Sequence, residues 1–177
     1  MTPENGTIFL PMSEPIDSKP QQDSDFSHLD TSGSARMVDV SRKPETYRTA
    51  TATGRVQMAS ETRTLVANKA LPKGDVFTVA RVAAVLAAKK TGDLIPLCHP
   101  IPLTDVQVDL QLGEDGVGIT ATASCVGRTG VEMEALTAVT VAALTIYDMC
   151  KSVDKRMVIE AVHVTAKSGG RSGDFRE

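Results

Sequence analysis

An aspartate and a lysine three residues apart, Asp148 and Lys151, stand near the far end of the most apolar stretch of the chain, GVEMEALTAVTVAALTIYDMCKSVDK from Gly130 to Lys155. The stretch predicts one long helix, and at i, i+3 the two side chains share a face of it. An acid held against a base beside a cleft suits proton-transfer chemistry. The same spacing also describes an ordinary solvated ion pair, which on the helix alone is the commoner case. If Lys151 relays protons from a buried site, its pKa should be lowered, because burial disfavours the charged form.

Glu132 and Glu134 open the same helix. Glu134 and Asp148 are fourteen residues apart, or ~21 Å at ~1.5 Å per residue. Both can serve one reacting centre only if two copies of the helix contribute. A two-fold antiparallel packing would do so, and it would also account for a helix that is apolar all round and therefore buried on all sides.

LIPLCHP, from Leu94 to Pro100, is a second candidate. Pro96 and Pro100 restrict the backbone, so Leu97, Cys98 and His99 are presented in a fixed loop. His99 could donate to a phosphate or a base, or it could be satisfied by local backbone groups. Adjacent Cys and His suit a metal, but no second Cys/His cluster supplies the remaining ligands. Lys73-Gly74 is only half a phosphate loop, lacking the GxxxxGK[ST] pattern. Lys167 with Gly169, Gly170, Arg171 and Gly173 is a stronger anion signal, since glycines let N–H groups approach and the cations add charge. A solvated tail is the alternative for Arg171.

These residues need elements to position them. Thr46 to Met58 alternates as a strand, with Gly54 as a candidate bulge, and order should begin near Met37–Val40. A short helix runs from Ser60 to about Asn68. After the Leu71–Gly74 turn, Asp75 caps a helix from Val76 to Lys90 whose apolar stripe reads Val79, Val82, Ala83, Leu86 and Ala87, with basic residues in its last turn. Thr91 to Pro102 reads as loop. Two alternating strands follow, Thr104 to Leu112 with Val106, Val108, Leu110 and Leu112 on one face, and Val117 to Val126, joined by a Gly-Glu-Asp-Gly turn. Met157 to Ala166 is a final strand. The order β-α-β-β-α-β is the ferredoxin-like split βαβ, an α+β fold with both helices on one face of an antiparallel sheet. Residues 35–166 form this domain, 1–34 a flexible Pro/Ser/Asp-rich arm containing His28, and 167–177 a flexible Gly-rich basic tail contributing to the site.

The 177 residues suit one domain, with a core of Val, Leu, Ile and Ala because Trp is absent and aromatics are 3%. A net charge of −3 argues against a nucleic-acid partner. The three cysteines, Cys98, Cys125 and Cys150, form no CxxC and are expected reduced. No apolar run approaches the ~18 residues of a membrane span and the Met1 region is not signal-like, so a cytoplasmic protein without a membrane partner is expected.

The runs MVDV (Met37 to Val40), KGDVF (Lys73 to Phe77), LIPLCHP, TGVEMEALTA (Thr129 to Ala138), LTIYDMCK (Leu144 to Lys151) and AKSGGRSGDF (Ala166 to Phe175) resemble the molybdenum-cofactor biosynthesis protein C family. The likeness spans about Phe26 to Arg176, with Arg36 where a His often precedes MVDV. The resemblance implies a ferredoxin-like cyclic pyranopterin monophosphate synthase, a lyase acting on 3′,8-cyclo-7,8-dihydroguanosine 5′-triphosphate and releasing pyrophosphate. It implies a homohexamer built as a trimer of dimers, with sites at the dimer interface. It carries Asp148 and Lys151 over as the catalytic pair and Leu97, Cys98, His99, Met133 and Glu134 as substrate-binding positions. Lys73, Glu132, Arg48 and Lys167 are carried over as further positions lining the pocket. No cofactor is required, although Mg²⁺ could accompany the triphosphate. A non-catalytic nucleotide-binding module is the other reading, and it would need the basic pocket but not Asp148 beside Lys151.

Overall fold

The computed structural model describes residues 33–171 and 173–177. The chain divides into Met1–Ala35 and Arg36–Glu177. The expected arm, with His28, therefore lies outside the described residues apart from Gly33 and Ser34. Met37–Val40 is irregular, with Val38 and Val40 half-buried and a turn closing from Lys43 N–H to the Val40 carbonyl at 3.0 Å.

The second unit is built on strand β1 (Thr46–Gln57), which pairs antiparallel with β3 (Gly116–Gly127) on one side and β4 (Val158–Ser168) on the other. Adding β2 (Leu103–Leu112) and a short β5 (Phe175–Arg176) gives the order β2-β3-β1-β4-β5. Four further elements are helices: α1 (Ser60–Ala67), α2 (Val76–Ala88), α3 (Thr91–Leu94) and α4 (Glu132–Cys150). Without α1, α3 and β5 the remainder is the ferredoxin-like βαββαβ. The period-2 alternation of β1 explains its placement. Ala50, Ala52, Gly54 and Val56 are buried, while Thr49, Thr51, Thr53 and Arg55 line the other face half-buried.

Helix α4 is the centre of the core and packs on β1, β3, β4 and α2. Ala135, Ala138, Val139, Ala142, Ala143 and Ile146 are fully buried, each larger side chain contributing ~1.5–3 kcal/mol. Small residues let backbones approach. A Cβ at Gly54 would come within 2.6 Å of Val139 Cγ1, so close helix packing explains that glycine. The expected bulge belongs instead to β4, which carries an extra residue opposite Thr51/Ala52 and another opposite Thr53/Arg55. Its Ala161 has φ of 53°.

Several expectations need correction. Helix α4 ends at Cys150 rather than Lys155, and its Met133, Thr140, Leu144 and Asp148 stripe is exposed, so one face is open in the single chain. It is also long and apolar enough, by length and composition, to cross a membrane, contrary to the expectation that no run reaches that length, but here it is the core helix of the sheet. On α2 the buried residues are Val76, Ala80, Ala84, Ala87 and Ala88, while Val79, Val82 and Leu86 of the expected stripe are 43%, 56% and 55% exposed. Apolar residues surround that helix, so periodicity alone could not say which side met α4. Its lysines follow the last turn as Lys89, the C-cap, and Lys90. Thr91–Leu94 is a helical turn rather than loop. Leu112 is 36% exposed at its strand end. The tail is not wholly irregular, since β4 includes Lys167 and Ser168 and β5 pairs back with Ala166 and Lys167.

Candidate active site

The C-terminal end of α4 carries the first group of candidate residues. Asp148 Oδ1 is 2.6 Å from Lys151 Nζ, and its Oδ2 accepts from Lys73 Nζ at 2.7 Å. Lys73 Nζ also donates to the Asp148 carbonyl at 2.9 Å. Lys73 reaches this position because the α1–α2 turn is closed by Gly74 N–H to the Leu71 carbonyl at 3.0 Å, with Gly74 at φ of 94°. The next residue, Asp75, caps α2 by accepting from Phe77 and Thr78 N–H at 3.1 and 3.2 Å.

The electrostatics of this group differ from the expected buried relay. Asp148 and Lys151 side chains are 54% and 52% exposed in the single chain. Hydrogen bonds from Lys151 and then Lys73 hold the Asp148 carboxyl down at about 2. The Asp148 partnership raises Lys151, rather than lowering it as a buried relay requires. Within one chain Lys151 keeps its proton because the pair is solvated and mutually stabilised.

The N-terminal end of α4 carries the second group. Glu134 is 3% exposed, and burial, reinforced by the Glu132 charge, pushes its carboxyl up to about 7. Glu132 Oε1 accepts from Lys167 Nζ at 3.1 Å, a pair shielded on both sides at 30% and 31% exposure. Arg48 on β1, paired directly opposite Cys125 on β3, donates through Nη1 to the Gly169 carbonyl at 3.5 Å, while its buried Nε has no partner. Gly169 and Gly170 adopt φ of 88° and 90°, which lets their loop close over Tyr47 and Arg48. A cavity of about 240 Å³ lined by Lys89, Gly92, Asp93, Pro100, Ile101 and Glu134 opens beside this group.

The LIPLCHP loop belongs with this end. Cys98 N–H donates to the Ile95 carbonyl at 3.0 Å, and burial, then Glu134, raises its thiol pKa. Gly92 packs against the loop so closely that a Cβ would lie 3.2 Å from Pro100 Cα. His99 is half-buried and, after Ser41 and Arg36, contributes to holding the Asp39 carboxyl below its usual range. Leu97 and Met133 are each 37% exposed.

The structure therefore gathers Lys73, Asp148 and Lys151 at one end of α4, and Arg48, Glu132, Glu134, Lys167 and Cys98 at the other. It does not join the two ends within one chain. Sequence reasoning missed Cys125 and Asp39 as neighbours of these groups. Their strand pairing and loop placement leave no mark in local pattern. Among the described residues, no set of three or more His, Cys, Asp or Glu is placed to hold a metal.

A ferredoxin-like α+β domain with paired acids and cations at both ends of its core helix is the class this geometry defines. The MoaC family profile matches residues 37–170. The chain is 57% identical over 152 residues to the cyclic pyranopterin monophosphate synthase of Novosphingobium aromaticivorans, covering 86% of this chain and 97% of that protein. It is 58% identical over 154 residues to the synthase of Roseiflexus sp., covering 86% and 98%, and 56% identical to that of Thermomicrobium roseum, covering 86% and 93%. The chain belongs to the MoaC family.

Proposed function

We propose that this chain is a cyclic pyranopterin monophosphate synthase, a lyase of molybdenum cofactor biosynthesis. Its substrate is 3′,8-cyclo-7,8-dihydroguanosine 5′-triphosphate, and pyrophosphate leaves as the cyclic phosphate closes. The observation that carries the catalytic assignment is the Asp148 carboxylate held between two ammonium groups, Lys73 and Lys151.

The pKa directions divide the roles. Asp148, held at about 2, is an anion at neutral pH and aligns the two lysines. Within one chain Lys151 holds its proton, and burial of the cluster at the dimer interface would lower its pKa and let it donate. Glu134, at about 7, is poised to take up and release protons near neutrality, as ring opening and re-closure require. Lys73, His99 and Lys167 stabilise charge on the departing pyrophosphate. The unspent Nε donor of Arg48 suits a phosphate oxygen. Glu132 orients Lys167, while Leu97, Cys98 and Met133 line the substrate pocket.

The working assembly is a homohexamer, a trimer of dimers, with each site shared across a dimer interface. The ~21 Å between the ends of α4 supports this, as do the exposed Val79, Val82, Leu86 and Leu144. The enzyme works in the cytoplasm without nucleic acid, membrane or resident cofactor, and any Mg²⁺ arrives with the triphosphate. Incubating purified protein with the cyclised nucleotide tests the activity. Pyrophosphate and the cyclic pterin should appear together. Nucleotide binding without pyrophosphate release would leave only a binding module.

A further inference from the structure

Asp154 is, with Glu134, one of two buried charged side chains among the described residues. It is 6% exposed and lies three residues beyond Lys151. Its Oδ2 accepts from Ala59 N–H at 2.9 Å and from the Thr62 hydroxyl at 3.3 Å. Its Oδ1 accepts from Arg156 N–H at 2.9 Å. A buried carboxylate bonded to main-chain N–H groups and a hydroxyl gives up hydration mainly to fix geometry.

Those bonds connect the two chain segments that carry the lysine–aspartate cluster. On one side, Lys151 N–H to Tyr147, Val153 N–H to Cys150 and Asp154 N–H to Cys150, at 2.9–3.0 Å, wind the end of α4 directly into Asp154. On the other, Ala59 and Thr62 begin α1. From there Asn68 N–H to Thr64, Lys69 N–H to Val66, Ala70 N–H to Leu65 and Gly74 N–H to Leu71 form a hydrogen-bonded path to Lys73. Lys73 bonds both the side chain and the carbonyl of Asp148, so both contacts depend on where the α1–α2 turn sits against the end of α4.

We propose that Asp154 is a positioning residue that staples the start of α1 to the end of α4 and so holds Lys73, Asp148 and Lys151 in register. The proposal rests on the reading of that cluster as catalytic. Asp154 touches none of the three directly and acts through the backbone on either side.

Asp154→Asn keeps size but leaves one oxygen to do the work of two, and Thr62→Val removes only the hydroxyl. Both are assayed for kcat and KM on the cyclised triphosphate, alongside Lys151→Ala. Folding is followed by circular dichroism and the titrations of Lys151 and Asp148 by NMR. In folded Asp154→Asn, kcat should fall by about tenfold to a hundredfold, the usual effect of misplacing a catalytic group by an ångström, with KM little changed. Lys151 and Asp148 should titrate nearer their ordinary values, and Thr62→Val should shift both readouts the same way by less. If Asp154→Asn does not fold, Thr62→Val decides by the same measurements. Unchanged kcat, or unchanged Lys151 and Asp148 titrations, in a folded variant would overturn the proposal and leave Asp154 a purely structural anchor. If Lys151→Ala itself keeps normal turnover, the catalytic reading of the cluster fails instead, and the titrations alone then report whether Asp154 holds its geometry.

Discussion

The two ends of α4 carry similar chemistry, carboxylates beside lysines, yet their acids move in opposite directions. Asp148 at the C-terminal end is half exposed between Lys151 and Lys73 and is held at about 2. Glu134 at the N-terminal end is 3% exposed, and its near neighbour Glu132 is already paired with Lys167. A helix N-terminus favours negative charge by ~0.3–1 kcal/mol. The rise of Glu134 from 4.5 to about 7 is worth ~3 kcal/mol, so burial overrides the dipole. Solvent and a dedicated cation, rather than residue type, decide which carboxyl stays ionised. In the single chain the exposed end thus rests in its charged forms, while the buried end titrates near neutrality.

The sharpest way to break this contrast is at the exposed end. Lys151→Ala or Asp148→Asn should lower kcat by about 10²- to 10⁴-fold, the range of a lost proton-transfer group. Melting temperature should hardly move, because the pair is solvated. Near-normal turnover in either variant would make the cluster an ordinary surface ion pair.

Mixing inactive Glu134→Gln with inactive Asp148→Asn tests whether the two ends meet across subunits. With free exchange about half the dimers are mixed, and one site in each is intact, so activity should return to about a quarter of wild type. Exchange demonstrated by mass labels without recovered activity would mean that each site is built within one chain.

His99→Ala and Lys73→Ala should weaken triphosphate binding about tenfold or more each, the usual loss for a charge-assisted contact, while folding is preserved. Isothermal titration giving wild-type affinity in both would remove them from the phosphate pocket.

The smallest effect is on stability and belongs to the titrating end. The folded pKa of Glu134 lies above its unfolded value, so the folded state binds more protons between about 4.5 and about 7. This group's contribution to stability is therefore full below the lower value and falls as pH rises through the upper one. Glu134→Gln should flatten that slope and raise the melting temperature at pH 8 by a few degrees. A melting profile with the same slope in both proteins would show that Glu134 does not titrate as its burial requires.

The element order was legible because each element rests on local rules. Strand alternation in Thr46–Gln57, the Asp75 cap and the Gly113–Gly116 turn all depend on neighbours in the chain. The Asp148–Lys151 pair was equally local, being set by helical spacing. What could not be read was exposure. The Val79, Val82 and Leu86 face of α2 looked like core until α4 covered the alanine side instead.

By itself the chain determined its ferredoxin-like order, its Ala-rich core helix and the separation of Glu134 from Asp148, because helical rise and side-chain period act between near neighbours. Only tertiary structure decided that Lys73 bridges to Asp148, that Arg48 meets the Gly169 carbonyl, and that Asp154 is buried against α1. Those contacts join residues far apart in sequence. Their strength and protonation depend on desolvation, which no local pattern encodes.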